Sequence, residues 1–147
     1  MKLSLIAAAA AVAALTATSV VAQQDPIAAR KALMKEVGGA TRTASQMVKG
    51  EAPFDLAKAK ASLAVYQSAA AKMPDLFPAT SKSGGETTAA PAIWDNMADF
   101  KAKFAKFAAD AKAADAATKD LDSFKAAFGN VAKNCGGCHE TYRVKKS

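Results

Sequence analysis

The feature that most constrains this chain lies near its C-terminal end, where Cys135-Gly136-Gly137-Cys138-His139 forms a Cys-x-x-Cys-His motif. This is the attachment pattern of a c-type haem. On a helix, a spacing of three places both thiols on one side, one turn apart, where they can add across the two vinyl groups of a porphyrin. The adjacent imidazole is then the proximal ligand of the iron. Because the chain has no other cysteine or histidine, the motif predicts one covalently attached haem c.

Three other functions are compatible with a Cys-x-x-Cys pair. A thioredoxin-type redox pair is expected early in a βαβ pattern, which this sequence does not resemble. A structural zinc site needs four protein ligands, and no further Cys or His completes the set. A disulfide between Cys135 and Cys138 suits an exported protein, but so short a loop would contribute little to stability. The adjacent His139 favours haem attachment over these three alternatives.

The N-terminal stretch has the pattern of a secretory signal peptide. Met1-Lys2 is a short positive segment, residues 3–15 are apolar and rich in alanine, and small residues precede Ala22. The alternative is a membrane anchor, for which the apolar run is short. We therefore predict a signal peptide at residues 1–22, a mature domain at residues 23–147, and a periplasmic location in which the mature protein does not span the membrane.

Composition favours helices and gives no sign of catalytic machinery. The chain has 147 residues, 51% of them apolar, with only 8 glycines and a formal net charge of +7. It contains no glycine-rich nucleotide loop, no serine–histidine arrangement and no second histidine to act as a general base. We therefore expect a single helical domain that is not an enzyme and has no nucleic-acid partner.

Hydrophobic periodicity predicts four amphipathic helices. The first is expected to begin at Asp25-Pro26, a capping residue before a proline, and to end at Gly50. Its stripe, with spacings of three and four, consists of Ile27, Arg30, Met34, Val37, Thr41, Ala44 and Val48. The charged Arg30 is therefore expected on an otherwise apolar face. The second helix is predicted from about residue 53 to Pro74.

The third helix is predicted from about residue 93 to 114, and the fourth begins near residues 118–120. Their buried stripes are expected to contain Ile93, Met97, Phe100, Phe104, Phe107 and Ala111, and Leu121, Phe124, Phe128, Val131, Cys135, Cys138 and Tyr142. A long irregular connection at residues 74–91 joins the two halves. The predicted fold is therefore all-α, an antiparallel four-helix bundle with its covalently bound haem inside, near one end.

The whole mature chain resembles the class II cytochromes c, the cytochrome c' group, in which a four-helix bundle carries its haem motif near the C-terminus. The matching segments are residues 30–35 (RKALMK), 49–54 (KGEAPF), 76–78 (LFP), 91–94 (PAIW) and 135–143 (CGGCHETYR). The haem motif alone is shared by all c-type cytochromes, and it is the ordered set that makes the resemblance specific.

The resemblance implies a role for individual residues. Cys135 and Cys138 match the cysteines that form the thioether bonds, and His139 matches the proximal iron ligand. Arg30 matches a basic residue of the first helix that lies near the haem and its propionates, with snorkelling to the surface as the alternative. Thr88 matches a loop position that approaches the haem edge in relatives.

Met34 matches the distal position of the first helix and decides between two functions. In the low-spin cytochromes c-556 a methionine at this place ligates the iron, which implies an electron carrier with His139 and Met34 as axial ligands. In the high-spin branch the site is vacant, which implies a five-coordinate protein that binds nitric oxide or carbon monoxide. A purely structural role of Met34 in the core is the third interpretation. The pattern Leu33-Met34-Lys35 resembles the low-spin branch, so the electron carrier is preferred.

Partners are indicated only in outline. The cations Lys133, Arg143, Lys145 and Lys146 surround the haem motif in sequence and predict either a docking rim for an acidic periplasmic redox protein or a solvated helix face. Relatives commonly form homodimers through the first two helices, and Tyr66 and the alanines of the second helix permit such packing.

Overall fold

Four long helices form the fold of the protein, for which a computed structural model describes residues 25–145. They are α1 (Pro26–Lys49), α2 (Leu56–Lys72), α4 (Met97–Ala117) and α5 (Leu121–Tyr142), and the short helix α3 (Ala92–Asp95) precedes α4. The predicted all-α four-helix bundle is confirmed. The predicted signal peptide lies outside the described residues.

The ends of α1 follow from its capping residues. The Asp25 carboxylate accepts a hydrogen bond of 2.9 Å from the Ile27 backbone N–H, and Pro26 occupies the first turn. Gly50 ends the helix in the left-handed region, with φ 76°, a conformation that costs little only for glycine. Both predicted ends of this helix are confirmed.

The third predicted helix is interrupted, which corrects the expectation of one continuous helix. Asn96 has φ −136° and ψ 56°, outside the helical region, and separates α3 from α4. Its side-chain oxygen accepts from the Asp99 N–H at 3.4 Å and so caps α4. Asparagine side chains form hydrogen bonds with the nearby backbone and so compete with the hydrogen bonds of a continuous helix. This explains why the helix is interrupted at Asn96.

The long connection between α2 and α3 is ordered by contacts at both ends. It contains two 3₁₀ turns, Met73–Leu76 and Ala79–Ser81. The Trp94 indole N–H donates to the Phe77 carbonyl at 3.0 Å. Further along, Ala89 pairs with Arg143 in an isolated antiparallel bridge. The connection is therefore fixed to the C-terminal end of α5, the helix that carries the haem motif.

The core is aromatic, and it contains a tyrosine that we expected near a dimer surface. Tyr66 is only 2% exposed. Its hydroxyl donates to Thr41 Oγ1 of α1 at 3.0 Å, and its ring lies 5.8 Å from that of Phe107. Tyr66 therefore joins α1, α2 and α4 inside the bundle and presents almost no surface to a second copy. Within residues 25–145, no helix combines the length and apolarity needed to cross a bilayer.

Candidate functional site

A cavity that is partly open to solvent lies between α1, α4 and α5. Its walls are formed by Met34, Val37, Lys103, Phe104, Phe107, Asn134, Cys135, Cys138 and His139. The surface that these residues present is almost entirely apolar. The cavity therefore brings together four of the six predicted site residues: the two cysteines, the histidine and Met34.

The motif side of the cavity belongs to α5. Cys135 and Cys138 are half-buried, unpaired cysteines one turn apart on this helix. Burial raises the pKa of both thiols, so they are protonated at neutral pH. The pKa of His139 is lowered by burial and, to a smaller extent, by the charge of Arg143. The imidazole is therefore neutral at pH 7, which is the form that ligates a metal.

Another part of the wall belongs to α1, which contributes Met34 and Val37. Other methionines of the described chain lie elsewhere: Met47 and Met73 are each 2% exposed in the core, and Met97 is a partly buried residue packed against it. Among residues 25–145, Met34 is thus the single thioether on the cavity wall. Met34 and His139 line the same cavity, and ligation of an iron by Met34 stays a prediction.

The residues present fit a covalently attached haem. An open-sided apolar cavity suits the flat face of a porphyrin, two thiols suit its vinyl groups, and a neutral imidazole suits its iron. In the described part of the chain, no group of three or more His, Cys, Asp or Glu side chains gathers to hold a metal ion by itself. The donor chemistry therefore corresponds to a haem rather than to a protein-only metal site.

Arg30 is buried, at 6% exposure, but it does not line the cavity. Its guanidinium donates to the Leu76 carbonyl at 3.0 Å, to Ser81 Oγ at 3.0 Å and to the Ser81 carbonyl at 3.2 Å. It also lies 4.5 Å from the centroid of the Phe77 ring. Burial lowers the pKa of Arg30. The charge of Arg30 is therefore satisfied by hydrogen bonds to the long connection between α2 and α3. A contact of Arg30 with haem propionates stays a prediction.

Thr88 also lies outside the cavity wall. Its carbonyl accepts a hydrogen bond of 2.8 Å from the Val144 N–H, just beyond the end of α5. Nearby, the Ala90 N–H donates to the Tyr142 carbonyl at 3.0 Å. The segment around Thr88 therefore holds the end of the motif-bearing helix, and a contact of Thr88 with the haem edge stays a prediction.

Sequence reasoning missed two polar residues of the cavity, Lys103 and Asn134. Lys103 directly precedes Phe104, and Asn134 directly precedes Cys135, so both lie at the edges of the predicted buried stripes. The Asn134 amide donates to the Asp110 carboxylate at 2.8 Å and so links α5 to α4. Polar residues flanking an apolar stripe were the available signal, but the pattern does not distinguish them from ordinary solvated neighbours.

The comparisons with known proteins agree with this geometry. The family model described as Cytochrome C' matches residues 25–143. A cytochrome c' of Rhodopseudomonas palustris is 50% identical over 127 residues, covering 86% of this chain and 87% of the relative. A cytochrome c-556 of Agrobacterium fabrum is 41% identical over 150 residues, with 99% of each chain covered. The solved structure of cytochrome c' from Rhodopseudomonas palustris has a TM-score of 0.82 at 50% identity, covering 85% of this chain and all of that one.

A helical bundle whose last helix presents two thiols and an imidazole to an apolar cavity defines an electron-transfer haem protein of the c type. The chain belongs to the cytochrome c' family, the class II cytochromes c, which includes relatives named cytochrome c' and cytochrome c-556. One covalently bound haem c, with its iron, is the cofactor of this family, and Cys135 and Cys138 are the cysteines available to bind it. Cytochromes c' are periplasmic proteins.

Proposed function

We propose that this protein is a periplasmic carrier of single electrons, with His139 and Met34 as the two axial ligands of its haem iron. The observation that carries the proposal is that Met34 lies on the wall of the same cavity as Cys135, Cys138 and His139. Bound haem supplies a one-electron iron couple, and a thioether opposite an imidazole raises its potential. The chain does not need to supply an acid, a base or a nucleophile for this reaction.

The protein side chains fix the position of the site and give it an apolar lining. Cys135 and Cys138, as neighbouring thiols on one face of α5, set the position of the ring edge. Phe104 and Phe107 of α4 are 8% and 7% exposed and close the apolar wall. Met34 reaches the cavity from α1, so a single flexible side chain can occupy the distal position without a polar group. Such a filled, apolar site favours electron transfer over binding of an external ligand.

A second function is supported by the relative named cytochrome c', which is half identical to this chain. In that case Met34 is a packing residue of the distal wall, and the cavity admits a small uncharged gas such as nitric oxide or carbon monoxide. The same apolar lining suits such a ligand. The two functions differ in one property, whether the sulfur of Met34 is bonded to the iron.

Absorption spectroscopy of the haem-loaded protein, reduced with and without carbon monoxide, tests the proposal. Low-spin bands that carbon monoxide does not move are expected for the unchanged protein. Met34→Leu keeps an apolar side chain of similar size but removes the sulfur, so it should give a high-spin spectrum that shifts with carbon monoxide and a lower midpoint potential. Met97→Leu is the matched control, because Met97 is partly buried and lies off the cavity.

A high-spin, carbon monoxide-sensitive spectrum of the unchanged protein would refute ligation by Met34 and support gas binding. An unchanged low-spin spectrum of Met34→Leu would show that another residue is the ligand.

We also propose that residues 1–22 are removed on export and that residues 23–147 are the mature domain. N-terminal sequencing of the periplasmic protein should begin at Gln23. A homodimer through α1 and α2 stays part of this proposal, although its contacts have to come from residues other than the buried Tyr66. Sedimentation of the haem-loaded protein over a range of concentrations measures this association.

A further inference from the structure

A groove between α4 and α5 runs along the outside of the haem cavity. We call it the lysine groove; it is lined by Lys103, Lys106, Asp110, Asn130, Lys133, Asn134, Gly137 and Cys138. Lys103, Asn134 and Cys138 also line the cavity, so the two spaces share a wall. The groove therefore adjoins Cys138, one of the two cysteines of the haem motif.

The charge of the lysine groove is positive. It contains three lysines and one acid, Asp110. The Asp110 carboxylate accepts from both Lys106 Nζ, at 2.5 Å, and the Asn134 amide, at 2.8 Å, and these two hydrogen bonds lower its pKa. The single negative charge is therefore engaged by donors of the protein, and three ammonium groups against one carboxylate leave the groove with a positive net charge.

The lysines themselves are available to a partner. The side chain of Lys106 is 68% exposed, and that of Lys103 is 36% exposed and pairs loosely with Asp99 at 3.9 Å. Lys133 is exposed and contacts the Asn130 side chain at 3.3 Å. Ion pairs at such exposure contribute little, so these ammonium groups can be redirected to a docked surface at small cost.

The floor of the lysine groove permits close approach. Gly137 lies between the two cysteines and has no side chain, and, apart from its chain neighbours and the nearby backbone of α5, nothing lies within 4 Å of the place where its Cβ would be. A second protein can therefore come near the backbone beside Cys138, the half-buried cysteine on the shared wall. Neither Lys145 nor Arg143, which we expected to form a docking rim, lines this groove.

We infer that the lysine groove is the docking surface for the redox partner, and that the partner is a one-electron redox protein with a cluster of carboxylates around its own centre. The inference rests on the proposed electron-carrier function. In the docked complex one electron passes between the two centres across the wall at Cys138, and no bond or proton is exchanged. Complementary charge speeds formation of such an encounter and makes it sensitive to salt.

Two small oxidants of opposite charge test the inference kinetically on the reduced, haem-loaded protein: ferricyanide and the tris(phenanthroline) complex of cobalt(III). A trivalent anion at ~10 Å from one lysine in 0.1 M salt should lose about twofold in rate when that charge is removed. Lys106→Gln and Lys133→Gln are each expected to slow ferricyanide about twofold and not to slow the cationic cobalt complex. Lys125→Gln is the matched control, because this exposed residue of α5 does not line the groove.

A binding measurement separates docking from reactivity. Hexacyanocobaltate(III), an anion that is not reduced under these conditions, is titrated into the protein and backbone amide shifts are followed by NMR. Shifts confined to the neighbourhood of residues 103–106 and 133–137 are expected. Equal rates for all three lysine variants, or shifts centred on Arg143 and Lys145, would overturn the inference. These outcomes leave the proposed function intact, since that function is tested separately by the spectra of the unchanged protein and of Met34→Leu.

Discussion

Replacement of the buried Tyr66 by phenylalanine should destabilise the protein at neutral pH and stabilise it at high pH. At pH 7 the change removes one hydrogen bond of 3.0 Å to Thr41, which is worth about 1 kcal/mol. In the folded protein, burial raises the pKa of Tyr66 to about 12, above its ordinary value of 10.0. The stabilisation of the neutral phenol is therefore complete below pH 10 and is lost as the pH rises through about 12.

The magnitude follows from the shift. Each pKa unit corresponds to about 1.4 kcal/mol, so at pH 11 the unchanged protein has lost about that much relative to the variant. Tyr66→Phe should thus be less stable than the unchanged protein by about 1 kcal/mol at pH 7. The two proteins should be equally stable near pH ~10.5–11, and the variant should be the more stable at higher pH. All other ionisable groups are shared by the two proteins, so their effects cancel in the difference.

The assay is guanidinium denaturation of the haem-loaded proteins between pH 7 and 11.5, followed by far-ultraviolet circular dichroism. Thr41→Val is the companion variant, because it removes the hydrogen-bond acceptor but keeps the buried phenol. Thr41→Val should lower the free energy of unfolding by about 1–3 kcal/mol at pH 7. Its stability should still fall at high pH as much as that of the unchanged protein, because the phenol of Tyr66 remains buried. A constant difference between Tyr66→Phe and the unchanged protein at every pH would refute the reasoning.

Two further predictions concern stability at pH 7, measured from denaturation midpoints. Arg30→Met should cost about 2–4 kcal/mol, because the two carbonyls and the hydroxyl that accept from Arg30 lose their donor. Arg30→Lys keeps a charge and should cost about half as much. Equal costs for the two variants would contradict a role for the guanidinium geometry. Gly50→Ala should cost about 1–2 kcal/mol because of its φ of 76°, whereas Gly129→Ala, inside α5 with open space around it, should gain about 0.5–1 kcal/mol. The same sign for both would show that helix propensity alone decides.

Much of the fold was predictable because local chemistry decides it. Asp25 and Gly50 determine the ends of α1 through a side-chain acceptor and a left-handed backbone, both of which are readable from residue type. The break at Asn96 was not predicted. The apolar stripe continues across it from Ile93 to Phe100, so periodicity shows a single helix, while the competing side-chain hydrogen bond is visible only in three dimensions.

The site was predictable where residue chemistry is unusual and unpredictable where it is common. Cys135, Cys138 and His139 have no other use in the chain. Met34 was singled out by the resemblance to the class II cytochromes c, not by its place on the first stripe alone. Lysine is abundant, so nothing in the sequence distinguishes Lys103 and Lys106 from other solvated cations. Arg30 was correctly expected on the buried stripe of the first helix. Its hydrogen-bond partners, Leu76 and Ser81, lie far along the chain and were not predicted.

The cavity is built from opposite ends of the chain, since Met34 belongs to α1 and His139 to the end of α5. Under the proposed ligation, the bond between Met34 and iron closes a loop that contains almost every other residue of the bundle. Closing so long a loop has a large entropic cost, so the distal bond can form only when the intervening helices have already packed. The colour of the protein is then a direct indicator of its tertiary structure. Its low-spin bands should fade as soon as α1 separates from α5, before helix content falls.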